Sequence, residues 1–220
     1  MPKWWRLARG TATAVALAGY MIVSHRISTA PSPPGPAAVA FAAAPLLAVV
    51  AVLAWHSHRW RRWLAIVFCI AAGAFLWIES PAIGRHITLL YLLQGACTDA
   101  ALMLMFGGSL AAGRVPLCSR LAASVRGTLT PPVARYTRQL TVAWTAFFAA
   151  MIVVSLTLYV RAPVTVWSAF ANLLPMPLVG IMFVAEYAVR RRVLRDVPHS
   201  PLAASLRAWW NSGGLSAPPR

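Results

Sequence analysis

The sequence predicts an all-α fold: a polytopic transmembrane helix bundle of about six spans, with short amphipathic helices at the membrane interface. Three observations predict it. The 220 residues are 60% hydrophobic and only 11% charged, about half the charged share of a soluble domain. The apolar residues fall into runs separated by proline-rich or arginine-rich breaks. And the twenty basic residues alternate with those runs instead of lining one polar face.

The elements follow in chain order, as a single integral membrane domain over 1–220. The first apolar run, about residues 8–24, follows Lys3, Arg6 and Arg9. It is short enough to be a signal-peptide core, and Ser28-Thr29-Ala30 resembles a cleavage site, but Pro31 directly after it is an unfavourable neighbour. An uncleaved signal anchor is expected. Ser32-Pro33-Pro34-Gly35-Pro36 cannot continue a helix and reads as a linker. A second run covers 37–55 with Pro45 inside it, a residue that membrane helices tolerate as a kink. The basic turn His56–Arg62 leads to a third run at 63–78. Its two histidines lie among arginines with no carboxylate to support them, which makes a poor metal site.

The fourth run, 87–107, carries Gln94, Thr98 and Asp99. A polar cytoplasmic loop is expected at 108–137. Within it, Leu117, Leu121 and Val125 recur at four-residue spacing beside Arg120 and Arg126, the pattern of a helix lying on the surface. Thr130-Pro131 is a helix start, with proline just inside. The fifth and sixth runs, 138–160 and 164–187, are joined by a short Arg161-Ala162-Pro163 turn and make a transmembrane hairpin. A basic cytoplasmic tail, 190–220, follows. In it, Ser200-Pro201 opens a segment whose Leu202, Leu206, Trp209 and Trp210 suit an interfacial helix; residues 211–220 read as disordered.

With six spans, seventeen basic residues fall on one side, and only Arg26, Arg85 and Arg161 on the other. The positive-inside rule then places both termini in the cytoplasm. The same distribution accounts for the net charge of +16 without nucleic acid as a partner, because no basic nucleic-acid module is present.

The intramembrane polar residues are the candidates for function. Asp99 lies deep in its run, where an ionised carboxylate costs several kcal/mol unless paired, neutral or facing water. It is read as an interhelical hydrogen bond first and as a proton or substrate site second. In the hairpin, Arg138 and Glu186 lie 24 positions either side of Ala162 (138 to 162, 162 to 186). A tight antiparallel turn brings them to one depth, so an Arg138–Glu186 pair is expected. Ser168, Asn172 and Glu186 form a polar stripe on the sixth run; Thr141, Thr145 and Ser155 form one on the fifth, with Trp144 and Tyr159 close by. Interhelical packing is the first reading of these stripes and a lined cavity between them the second. The three cysteines, Cys69, Cys97 and Cys118, have no zinc-type spacing. No GxSxG, P-loop or HExxH occurs, so no catalytic residue, metal ligand or cofactor is assigned.

Four strings carry a resemblance: FGGSLAAGRVPLCSRLA (Phe106 to Ala122), YTRQLTVAWTAFF (Tyr136 to Phe148), VWSAFANLL (Val166 to Leu174) and FVAEYAVRRRVL (Phe183 to Leu194). The stretch from about Tyr91 to Leu194 resembles a bacterial integral membrane-protein family of no settled activity. Its members are often encoded beside aryl-polyene or xanthomonadin-type fatty-acid and polyketide assembly genes. The resemblance implies a location in the bacterial inner membrane and an accessory or scaffold role. It also implies asparagine in relatives where Asp99 stands and a basic residue where Gly108 stands; both departures weaken a scheme that needs an ionised acid. The implied partners are the lipid bilayer and, at the basic cytoplasmic face, anionic lipids or an acyl carrier protein. A small transporter or flippase component using Asp99 and the stripes, and a membrane enzyme acting on an acyl chain, are the alternatives. Tyr136, beside Arg138 at the head of the hairpin, completes the candidate polar set.

The topology is tested by a reporter fused after Arg195, which is expected to read out as cytoplasmic; a periplasmic signal would reject the six-span arrangement.

Overall fold

The computed structural model describes the backbone of residues 3–55 and 59–193, and their side chains outside 3–9, 49–62, 64–65, 69 and 125–126. The two-histidine turn and the segment from Leu194 onward, with its tryptophan helix and disordered end, lie outside the described residues. Among the described residues every regular element is helical. In order they are α1 (Lys3–Ser28), α2 (Pro36–Trp55), α3 (Arg59–Ile78), α4 (Ser80–Arg85), α5 (Ile87–Gly108), α6 (Leu117–Arg126), α7 (Pro131–Arg161), α8 (Val164–Ser168), a π-helical turn (Ala169–Leu173) and α9 (Pro175–Val193).

The predicted boundaries hold where proline or glycine dictates them. The Ser32–Pro36 linker separates α1 from α2, Pro131 opens α7, and Ala162-Pro163 separate α7 from α8. The α2 helix runs through Pro45 without a break. Gly127 closes α6 with φ 76°, in the left-handed region, its amide bonding Ala123 O at 2.8 Å; a side chain there would be strained. The expected polar loop at 108–137 is mostly helix, since α6 and the first turns of α7 occupy it.

Among the described residues two helices, α5 and α7, are long and apolar enough to cross a membrane. A third crossing is available if α8 with its π turn and α9 count as one span bent by 50°. Pro36–Ala48 and Ile66–Ile78 are shorter apolar helical stretches. Large apolar side chains face outward along α1 and α3, among them Val15, Ile70, Phe75 and Trp77.

The chain forms two compact units, one of residues 1–96 and 154–177, the other of 97–153 and 178–220. The first has a core of Val39, Ala42, Ile87, Tyr91, Leu92 and Trp167, with Tyr159 edge-on to Trp167 at 5.1 Å. Trp167 is completely enclosed, and its indole N–H donates to Ser155 Oγ at 3.3 Å. The donor is thus satisfied, as burial of tryptophan requires. In this unit α2 packs on α3 and α4, and α1 on α8 and the π turn. The second unit is organised by aromatic residues: Trp144 contacts Phe106, Phe147, Phe148 and Phe183, with ring centroids 5.0–6.0 Å apart. Such tilted and offset pairs contribute about 0.5–1.5 kcal/mol each beyond area burial.

At the α4 end of the first unit, Gly84 lies against the linker. A Cβ there would stand 2.8 Å from Pro34 O, a backbone atom that cannot swing aside. Gly84→Ala is therefore expected to lower the thermal unfolding midpoint in detergent; Gly95→Ala, where a Cβ meets nothing within 4 Å, serves as the control and should leave it unchanged or raise it.

Candidate functional site

The polar residues of the first unit converge from three elements. His25 and Ser28 lie on the last turns of α1, Ser168 ends α8, and Asn172 sits in the π turn. A π turn inserts an extra residue per hydrogen-bonded loop and so re-aims side chains; here it follows Ser168 and presents Asn172 four positions on. Asn172 Nδ2 donates to Ser168 Oγ at 3.0 Å and to Ser28 Oγ at 3.3 Å. Ser28 passes its own proton to Ser24 O at 2.7 Å. Ser168 Oγ also meets His25 Nδ1 at 3.0 Å. Since Asn172 already donates to Ser168, the assignment that uses every proton has Ser168 donating to Nδ1 and the imidazole proton on Nε2.

Farther back along α1, Gln94 Nε2 on α5 donates to Tyr20 Oη at 3.5 Å. Between these two groups, Ser24 Oγ and Tyr91 Oη are buried and face each other, yet lie outside hydrogen-bond geometry. The polar track thus follows α1 from Tyr20 to Ser28, about 12 Å at 1.5 Å per residue. It ends at an open cleft of about 330 Å³ beside the α1–α2 linker, lined by Ser28, Thr29, Arg85, Thr88, Val164 and Thr165 among others.

A Ser–His contact invites comparison with nucleophilic catalysis. The geometry opposes it: Ser168 has no exposed surface, and its oxygen accepts the Asn172 proton. A nucleophile needs an accessible lone pair. This one is committed to a helix–helix clasp.

The second unit holds a separate polar cluster. Glu186, nearly buried, accepts from Tyr136 Oη on both Oε1 and its backbone carbonyl, each at 3.2 Å, and pairs with Arg190 Nε at 3.6 Å one turn along α9. This corrects the expected Arg138–Glu186 pair. Tyr136, two positions earlier on α7, is the residue that reaches Glu186. Arg138, two positions or about 200° further round the helix, is exposed. Nearby, Thr137 Oγ1 meets Ser119 Oγ at 2.7 Å, and Thr141 Oγ1 accepts from the Cys118 amide at 3.3 Å. These bonds hold α6 to α7. The buried face of α6 is Cys118 and Ser119, while Leu121 of the expected apolar face points outward. Burial pushes the Cys118 thiol up, the Glu186 charge adding to this and the Thr141 hydroxyl opposing it, so Cys118 is a packed side chain and not a reactive one.

The members of the two expected stripes have different partners. Thr141 bonds to α6, Thr145 Cγ2 packs where a Cβ at Gly107 of α5 would come within 3.1 Å, and Ser155 receives Trp167. On the sixth run, Ser168 and Asn172 bond to each other, whereas Glu186 lies beyond the 50° bend with partners of its own. Asp99 is half-buried on α5 and makes no ion pair among the described residues. No grouping of three metal-ligating side chains occurs among the described residues. The sequence gives no functional reading for Ser24, His25 or Tyr91, and for Ser28 only the cleavage-like Ser28-Thr29-Ala30; the signal available was the Ser24/Ser28 four-residue spacing at and just past the end of the weakest apolar run.

Compared with family models, curated proteins and solved structures, the chain has no match.

Tyr136→Phe removes both hydrogen bonds to Glu186 and is expected to cost about 1–2 kcal/mol of stability, read from thermal or denaturant unfolding in micelles. Arg138→Ala should leave the midpoint unchanged. A larger loss for Arg138→Ala than for Tyr136→Phe would reject the assignment.

Proposed function

We propose that this chain is a six-span protein of a bacterial cytoplasmic membrane, with both termini inside, that serves as a non-catalytic accessory in lipid-like polyene assembly. In this role it holds or passes on an amphiphilic product. The observation that carries the reading is the His25–Ser168–Asn172–Ser28 network. Its polar groups are consumed in joining α1 to α8 and the π turn, next to an open cleft. Side chains used in this way build a receptacle; they do not provide an accessible nucleophile or base. The tethering of Glu186 to Tyr136 and Arg190 supports the same conclusion for the other cluster.

The charge asymmetry supports the orientation, and the outward apolar side chains of α1 and α3 support placing those helices in lipid as well. The polyene context comes from the resemblance over Tyr91 to Leu194. The basic cytoplasmic face suits anionic lipids or an acyl carrier protein as partner.

A second reading has one observation in its favour. Asp99 is half-buried within a span and makes no ion pair among the described residues, as a proton-coupled transporter or flippase component would need. An acyl-chain enzyme is disfavoured by the commitment of Ser168.

Deleting the gene and profiling pigment and lipids separates the readings. Loss or shortening of polyene lipid is the expected outcome. Build-up of finished product inside the cell would favour transport, and an unchanged profile would remove the polyene role.

A further inference from the structure

The cleft at the α4 end of the first unit has a chemistry of its own. Arg85 lines it and also lines an adjoining open cleft of about 450 Å³ formed by Pro33–Pro36, Ser80 and Pro81. No carboxylate lines either cleft, and Arg85 makes no ion pair among the described residues. Around it stand hydroxyl groups. Thr29 Oγ1 has given its proton to His25 O at 2.8 Å and can only accept, while Thr88 and Thr165 are not engaged in the side-chain hydrogen bonds of the described residues and retain protons to donate. The walls are stiff, because the linker prolines hold their φ angles and Gly84 seats Pro34 at contact distance. On the rim, Val164 lines the cleft and is 47% exposed, continuing it onto an apolar helix surface.

We infer that this cleft binds the oxyanion group, phosphate or carboxylate, of an amphiphile, with Arg85 as the charged fork, Thr88 and Thr165 as neutral donors, and the chain running out over Val164. The inference rests on the proposed function and names the ligand chemistry of its receptacle. A planar guanidinium matches two oxyanion oxygens at once. A cation on a wall with hydroxyl donors and no competing acid selects an anion. An apolar rim favours one that carries a hydrocarbon chain over a free ion.

The test uses the full-length protein in nanodiscs of phosphatidylcholine, titrated calorimetrically with dihexanoyl phosphatidic acid, decanoate and inorganic phosphate. At least one of the two amphiphiles is expected to bind saturably, with inorganic phosphate at least tenfold weaker. Arg85→Gln should weaken that binding about tenfold or more, the range of a lost charged hydrogen bond. Arg85→Lys should fall between, and Thr88→Val with Thr165→Val should weaken it in a protein that keeps Arg85. Arg26→Gln, an exposed arginine that does not line the cleft, should have no effect. Absence of saturable binding, equal loss in Arg26→Gln and Arg85→Gln, or equal affinity for inorganic phosphate would overturn the assignment. Thermal unfolding of each variant checks folding; should Arg85→Gln not fold, the threonine pair and Arg85→Lys carry the test. Binding that depends on Arg85 in a protein whose deletion leaves polyene lipid unchanged would uphold the cleft and remove the polyene role. The converse result would remove the cleft alone.

Discussion

The first unit depends on one amide. Asn172 has two N–H protons and places one on Ser168 and the other on Ser28, so a single side chain ties the π turn to α8 and to α1. If that amide were withdrawn, the enclosed Ser168 oxygen would lose its donor, and a buried polar group left unsatisfied costs about 1–3 kcal/mol. Each bond made is worth only about 0.6 kcal/mol in a membrane bundle. The asymmetry between making and breaking gives the contact its specificity. The π turn is the backbone adjustment that allows it, since it re-aims position 172 relative to a regular helix.

The second unit solves the same problem differently. Its helices are held by a cluster of rings about Trp144 and by hydroxyl groups that turn back on their own helix. Thr137, Thr141 and Thr145 each donate to the carbonyl four residues earlier, which frees their oxygens to accept from a neighbour. Thr141 uses that capacity for the Cys118 amide near the start of α6, one of the donors a helix leaves unpaired. Glu186 is kept by Tyr136 and Arg190 instead of by a charge at matched depth. A phenol reaches a nearly buried carboxylate with less desolvation cost than a second ion would incur.

Much of the candidate site was invisible in the chain because its signals are ordinary one at a time. Ser24, His25 and Ser28 lie at and just past the end of an apolar run that reads as an anchor, and nothing local says that Ser168 and Asn172 will come to meet them. Asp99 drew notice as the only carboxylate deep in a run, and the structure gives it no ion-pair partner among the described residues. The stripes on the fifth and sixth runs were real periodicities. Helical periodicity identifies residues that share a face but not the element that covers it, and here three different neighbours cover Thr141, Thr145 and Ser155.

By itself the sequence determined the helical class and the breaks at Ser32–Pro36, Thr130-Pro131 and Ala162-Pro163; counting from the turn brought the partner of Glu186 to Arg138, two residues from the one the fold uses. The class and the breaks depend on local chemistry: proline lacks an N–H and has a fixed φ, and apolar runs of membrane length favour helix. Only the tertiary structure decided that Tyr136 and not Arg138 reaches Glu186, that the sixth run breaks into α8, a π turn and α9, and that α1 supplies His25 and Ser28 to the network. Those outcomes depend on rotation about helix axes and on which helix lies alongside. Spacing along the chain says which residues share a face of a helix, but not which way that face is turned or what lies against it.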